Sequence, residues 1–188
     1  MKKNICLLLL LQLIFFSLLA QKSNLPAVDK SPMDMAYYPH HYPSLKLQNK
    51  VTEPLAARII YSRPQIKGRE IFGTLVKYGE VWRLGANEAT EIQFFRNVII
   101  NGKMIHKGRY TLYALVNQDN WTMILNRETD IWGAFKYDAA KDVIRVSVPV
   151  QHTDEPVEYL SMLFEKAAGG CNLVIAWDKV QVAMPITF

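Results

Sequence analysis

Cysteine is nearly absent: the 188-residue chain has two, and Cys6 lies within an apolar N-terminal run. Only Cys171 remains for the body of the chain, so no internal disulfide forms and stability must come from a packed core. Cys171 opens the run CNLVIAW and reads as a buried, inert thiol. Blocks of consecutive cations are also missing. The formal net charge is +5, but the basic residues are scattered and do not alternate with aromatics as a nucleic-acid track requires. Nucleic acid is therefore not expected as a partner. Catalytic signatures are lacking too: there is no GxSxG elbow, no HExxH, no CxxC, no GxxxxGK[ST] and no GxGxxG. His40, His41, His106 and His152 stand at no metal-ligand spacing, so neither a metal nor another cofactor is expected.

Long apolar runs are absent beyond the N-terminus. There, Lys2 and Lys3 precede a run from Ile5 to Leu19 and then Ala20, the pattern of a secretory signal peptide cut after Ala20. The run falls short of the roughly 20 apolar residues of a membrane span, and Gln21, Lys22 and Ser23 follow at once. No cysteine stands at the cut to take a lipid. The chain is expected to be exported to the periplasm or medium, with residues 1–20 removed and no transmembrane segment left.

Residues 21–50 carry Pro26, Pro32, Pro39 and Pro43, with Tyr37, Tyr38 and Tyr42 among them, and predict an extended arm packed across a single domain over 51–188. Within that domain the hydrophobic period is 2 and turn signals punctuate short apolar runs. AARIIYS is ended by Arg63-Pro64, Glu91 to Arg96 forms a second strand, and VIINGKMI is a hairpin turned by Asn101-Gly102. RYTLYALV and WTMILN pair across NQDN, and DVIRVSVPV alternates Ile144, Val146, Val148 and Val150 with Arg145 and Ser147. EYLSMLF, CNLVIAW and KVQVAMPI bring the tally to about nine short strands, which predicts an all-β antiparallel sandwich with one long ordered loop. IFGTLVKYGEVW reads as a short helix or an apolar plug. NRETDIWGAFKYDAAKD reads as a connection pinned by Trp132 and Phe135.

The long loop spans Tyr61 to Glu91. Loops beyond about 12 to 15 residues are uncommon in compact domains and usually carry function or are disordered, and this one is too aromatic for disorder. Arg63, Lys67, Arg69 and Arg83 with Asn87, Glu88 and Trp82 offer planar donors, an amide, a carboxylate and a ring. Convergence of Arg63, Arg69 and Arg83 would make a site for a small anionic or carbohydrate ligand, or for an envelope protein. A competing structural reading pairs Arg83 or Arg69 with Glu88 or Glu70 to lock the loop. The catalytic alternative is a glycan hydrolase using Glu88 or Asp130, from the pairs Glu88 with Glu91 or Asp130 with Asp138.

The blocks SRPQIKGREIFGTLVKYGEVWRLGANEATEI, INGKMIHKGRYTLYAL, WTMILN, WGAFKYD, DVIRVSVPV and NLVIAWDKVQVAMPI, in that order, closely resemble the secreted bacterial family catalogued as domain of unknown function 2911. The likeness runs from about Ser31 to Ile186. Lys77 and Leu84 stand where the family's loop typically has proline and threonine. The resemblance implies a secreted or periplasmic β-rich domain and assigns no activity, ligand or catalytic residue.

Overall fold

The computed structural model describes residues 25–188; the expected signal peptide lies outside that range. Eleven strands occur among the described residues: β1 (Met33–Tyr38), β2 (Ala57–Ser62), β3 (Val81–Trp82), β4 (Glu91–Phe94), β5 (Val98–Ile100), β6 (Lys103–Ile105), β7 (Gly108–Val116), β8 (Asn120–Asn126), β9 (Asp142–Pro149), β10 (Gln151–Ala167) and β11 (Gly170–Thr187). One sheet runs β1-β2-β4-β7-β8-β9 with β3 also beside β7; the other runs β10-β11-β5-β6. Every pairing is antiparallel, which makes an all-β sandwich.

Alternation builds the core. Ile59 and Tyr61 of β2, Leu112 and Ala114 of β7, and Met123 and Leu125 of β8 turn inward against Leu160 and Phe164 of β10 and Leu173 and Ile175 of β11. Each large apolar side chain buried this way contributes about 1.5–3 kcal/mol. The Asn101-Gly102 turn has both residues at positive φ, 47° and 74°, as its β5–β6 hairpin requires.

Two elements differ from expectation, and a segment that reads as helix or plug takes the second form. The lead-in is more than an extended arm: β1 pairs along β2, Tyr38 is buried in the core, and a short helix α1 (Tyr42–Leu47) follows. The two runs CNLVIAW and KVQVAMPI are one strand, β11. Its inward set switches from Leu173, Ile175 and Trp177 to Val182, Met184 and Ile186 across Asp178, which sits at φ 53°. The left-handed residue exchanges the faces without ending the strand, beside an irregular register in which the extra residues lie on β10, between His152 and Val157 and between Val157 and Ser161. IFGTLVKYGEVW forms a plug rather than a helix, with Ile71 and Val76 buried and Val76 N–H donating to the Ile71 carbonyl at 2.8 Å.

The outer face of the larger sheet is covered as well. Val81, Tyr113, Leu115 and Ile124 pack beneath Ile131, Ala134 and Tyr137 of the β8–β9 connection. Trp132 and Phe135 do not pin that connection, since they are 61% and 84% exposed. It is fastened by hydrogen bonds: Thr111 Oγ1 donates to the Glu128 carbonyl at 2.5 Å, and Asn126 Nδ2 to the Asp138 carbonyl at 2.9 Å.

Cys171 is 1% exposed, and burial pushes its thiol pKa up to about 12. Only the thiolate attacks disulfide reagents. A chromogenic aromatic disulfide should therefore leave Cys171 of the native protein unmodified at pH 8 and titrate it once denaturant unfolds the chain.

Candidate functional site

β3 and β4 lie on the same flank of β7: Trp82 opposes Ala114, and Glu91 opposes Thr111. Residues 83–90 must leave the sheet between them. Thr90 N–H donates to the Arg83 carbonyl at 3.0 Å, and Thr90 Oγ1 to the Leu84 carbonyl at 2.6 Å, which close the excursion at its base. Leu84 and Asn87 hold φ of 54° and 60°. For buried Leu84 that conformation costs about 1–2 kcal/mol, so surrounding packing has to impose it. Ala89 N–H donates to the Ile131 carbonyl and Gly133 N–H to the Asn87 carbonyl, stitching the excursion to the β8–β9 connection.

The expected site residues do not converge. Arg63 donates through Nε to the Leu160 carbonyl at 3.1 Å, through Nη2 to Ser161 Oγ at 2.9 Å and through Nη1 to Asp34 at 3.0 Å, bracing β1 against β10. Arg69 donates to the carbonyls of Ile66 and Gln65 and folds its own turn. Lys67 donates its backbone N–H to Glu158. Trp82 is 8% exposed and belongs to the core, with its indole N–H on the Gly85 carbonyl at 3.2 Å. Asn87 and Glu88 border the stitched connection, where Glu88 is exposed and forms a backbone bridge with Trp132. Neither Arg83 nor Arg69 forms an ion pair with Glu88 or Glu70 among the described residues; Glu70 instead accepts from Thr74.

Arg83 is the exception. It is half-buried, its Nε is without a hydrogen-bond partner, and burial lowers its pKa. A guanidinium keeps its charge even so. It lines a 290 Å³ cavity with Leu75, Lys77, Glu80 and Phe135. Glu80 lies 3.8 Å from Lys77 and makes no ion pair with Arg83. Phe135 folds back over Gly133, whose φ is 71°; a Cβ there would lie 2.6 Å from the Phe135 ring. Glycine thus lets the ring stand at the mouth of the cavity. Lys77, Leu75 and Phe135 were missed as site residues, because their sequence neighbours gave no sign that two distant connections meet beside Arg83.

Residues 43–186 match the family model described as Protein of unknown function (DUF2911). The chain belongs to that family. No curated protein and no solved structure matches it.

Elsewhere in this DUF2911 chain, Glu88, Glu91 and Asp130 line a smaller cavity of 170 Å³. Arg109 pairs with both Glu91 and Asp130, and Glu91 also accepts the Asp130 N–H at 2.7 Å. Asp138 is occupied in capping a 3-10 turn through the Ala140 N–H. The His40 and His41 rings lie 3.8 Å apart at the entrance to α1, rather than on opposite sides of an extended strand, because His41 has φ 56°. Among the described residues no group of three His, Cys, Asp or Glu is placed to hold a metal.

The two arginines should respond oppositely to truncation. Arg63→Ala removes three hydrogen bonds and should cost about 1–3 kcal/mol, whereas Arg83→Ala removes an unpaired, partly buried charge and should raise stability by about 1 kcal/mol. Urea denaturation of both variants measures the difference.

Proposed function

We propose that the protein is an exported, non-catalytic binding module that takes a small organic anion at Arg83. The single observation behind this reading is a partly buried arginine that lines a cavity, forms no ion pair and leaves its Nε without a hydrogen-bond partner. Burying a cation without a counter-ion is unfavourable, and an incoming carboxylate offsets that penalty while matching the planar fork in two parallel hydrogen bonds. The Lys77 charge beside the cavity is offset by Glu80 at 3.8 Å, which leaves Arg83 as the net positive group, and Phe135 and Leu75 offer apolar surface to the rest of the ligand. The favoured ligand is an aromatic or branched carboxylate. A cavity of 290 Å³ suits a compact molecule.

Glycan hydrolysis through Glu88 or Asp130 draws less support. A retaining or inverting mechanism needs two carboxyl groups free to exchange protons across a bound sugar. Arg109 engages Glu91 and Asp130, and the space between them and Glu88 is small.

Calorimetric titration with benzoate and phenylacetate tests the anion site. Saturable binding is expected, weakened at least about tenfold in Arg83→Met through loss of a charge-assisted pair, and absent for benzyl alcohol. Unchanged affinity in Arg83→Met would remove the proposal. Export is tested separately by N-terminal sequencing of the protein recovered outside the cytoplasm, which should begin at Gln21.

A further inference from the structure

A second cavity, of 330 Å³, opens beside the β7–β8 hairpin and has chemistry opposite to that of the Arg83 site. Its lining includes Tyr78, Asn117, Gln118, Asp119, Trp121 and His152. We infer that it is a binding site for a neutral carbohydrate ring, separate from the anion site.

The polar groups are free while their backbone is fixed. The side chains of Tyr78, Asn117, Gln118, Asp119 and His152 make no hydrogen bond or ion pair with other described residues. The chain that carries them is held on three sides: Asn117 N–H donates to the Asn120 carbonyl at 3.1 Å, Val150 N–H to the Asp119 carbonyl at 2.9 Å, and Gly79 N–H to the Val116 carbonyl at 2.9 Å. Unsatisfied side chains on a fixed frame are what a ligand with many hydroxyls requires. Each amide supplies a donor and an acceptor, and the carboxylate accepts two hydrogen bonds, so adjacent hydroxyls of one ring can be engaged as pairs.

A ring surface stands beside these groups. Tyr78 is 39% exposed, and its ring packs against Gly73, where a Cβ would lie 3.0 Å from the Tyr78 Cε2 atom. One ring face is thereby supported, and the phenol presents apolar surface with a polar tip. Trp121, buried beneath the hairpin, closes the base. This pairing of apolar ring and planar polar groups fits a sugar, which has C–H groups on its faces and hydroxyls around its edge.

Charge selects the class. Asp119 is the one carboxylate in the lining, and no Lys or Arg accompanies it. Organic anions are disfavoured there, and a single carboxylate gives a metal ion too few hard ligands. A neutral polyol meets neither obstacle. The volume suits one or two sugar rings.

The test is NMR titration of the full mature chain with methyl glycosides of glucose, galactose, mannose and N-acetylglucosamine, reading the Asn117 and Gln118 side-chain amides and the Trp121 indole N–H. At least one glycoside should shift these signals saturably. Tyr78→Ala and Asp119→Ala should each weaken that binding at least about tenfold, with melting temperature and benzoate binding unchanged. Asp119 is exposed at a hairpin tip, so its variant keeps the test decisive if Tyr78→Ala misfolds. No saturable shift with any glycoside overturns the inference, and so does binding that survives both substitutions.

Discussion

The packing of Trp82 on Trp177 is the contact on which the loop-bearing end of the sandwich depends. The rings are stacked at 5.8 Å and 17°, with one on β3 of the larger sheet and the other on β11 of the smaller. Trp121 meets Trp82 edge-on at 5.9 Å, and Phe72 enters from the plug to touch all three. Such pairs add about 0.5–1.5 kcal/mol each beyond the area they bury. β3 is only two residues long and could not hold its place by ladder hydrogen bonds alone. Anchored by Trp82, it sets where the plug ends and where the 83–90 excursion begins. Both cavities flank this aromatic cluster.

Chemically identical arginines were divided by what their surroundings offered. Arg63 meets a carbonyl, a hydroxyl and a carboxylate across the two sheets and becomes a brace. Arg69 finds carbonyls in its own turn. Arg83 lies beside the apolar cluster that coats the outer sheet face, and gains neither. Burial without satisfaction is costly in the free protein, and it marks the one guanidinium of the three without a partner among the described residues. The first turn of the loop is structural, and the group left unpaired lies in its second half.

Strand positions were legible where alternation and turn chemistry agreed. The Asn101-Gly102 hairpin, the β7–β8 pair and β9 follow directly from period 2 bounded by turn residues. β1 was obscured by prolines at both ends, and its edge position explains why they are tolerated: an edge strand leaves one row of backbone groups outside the ladder. Asp178-Lys179 has the composition of a turn, yet a left-handed residue inside a long strand serves equally to exchange its faces. The long loop stands out in the sequence by its length and composition, but its contacts were not readable. The partner of Arg63 lies 97 residues away at Leu160, and the companions of Arg83 come from a connection read as aromatic packing. Local spacing carries no information about which distant segment a long loop meets.

One connection serves two cavities because the sandwich brings it across an end of the sheets. Leu75 and Lys77 face the Arg83 side, while Tyr78, next in sequence, faces the β7–β8 hairpin. The two sides differ in sign: a guanidinium beside the Lys77–Glu80 pair on one, an isolated carboxylate on the other. Their charges would work against each other in a single pocket. Separated by the buried body of Phe72 and the tryptophans, they are insulated by a packed apolar wall rather than by water.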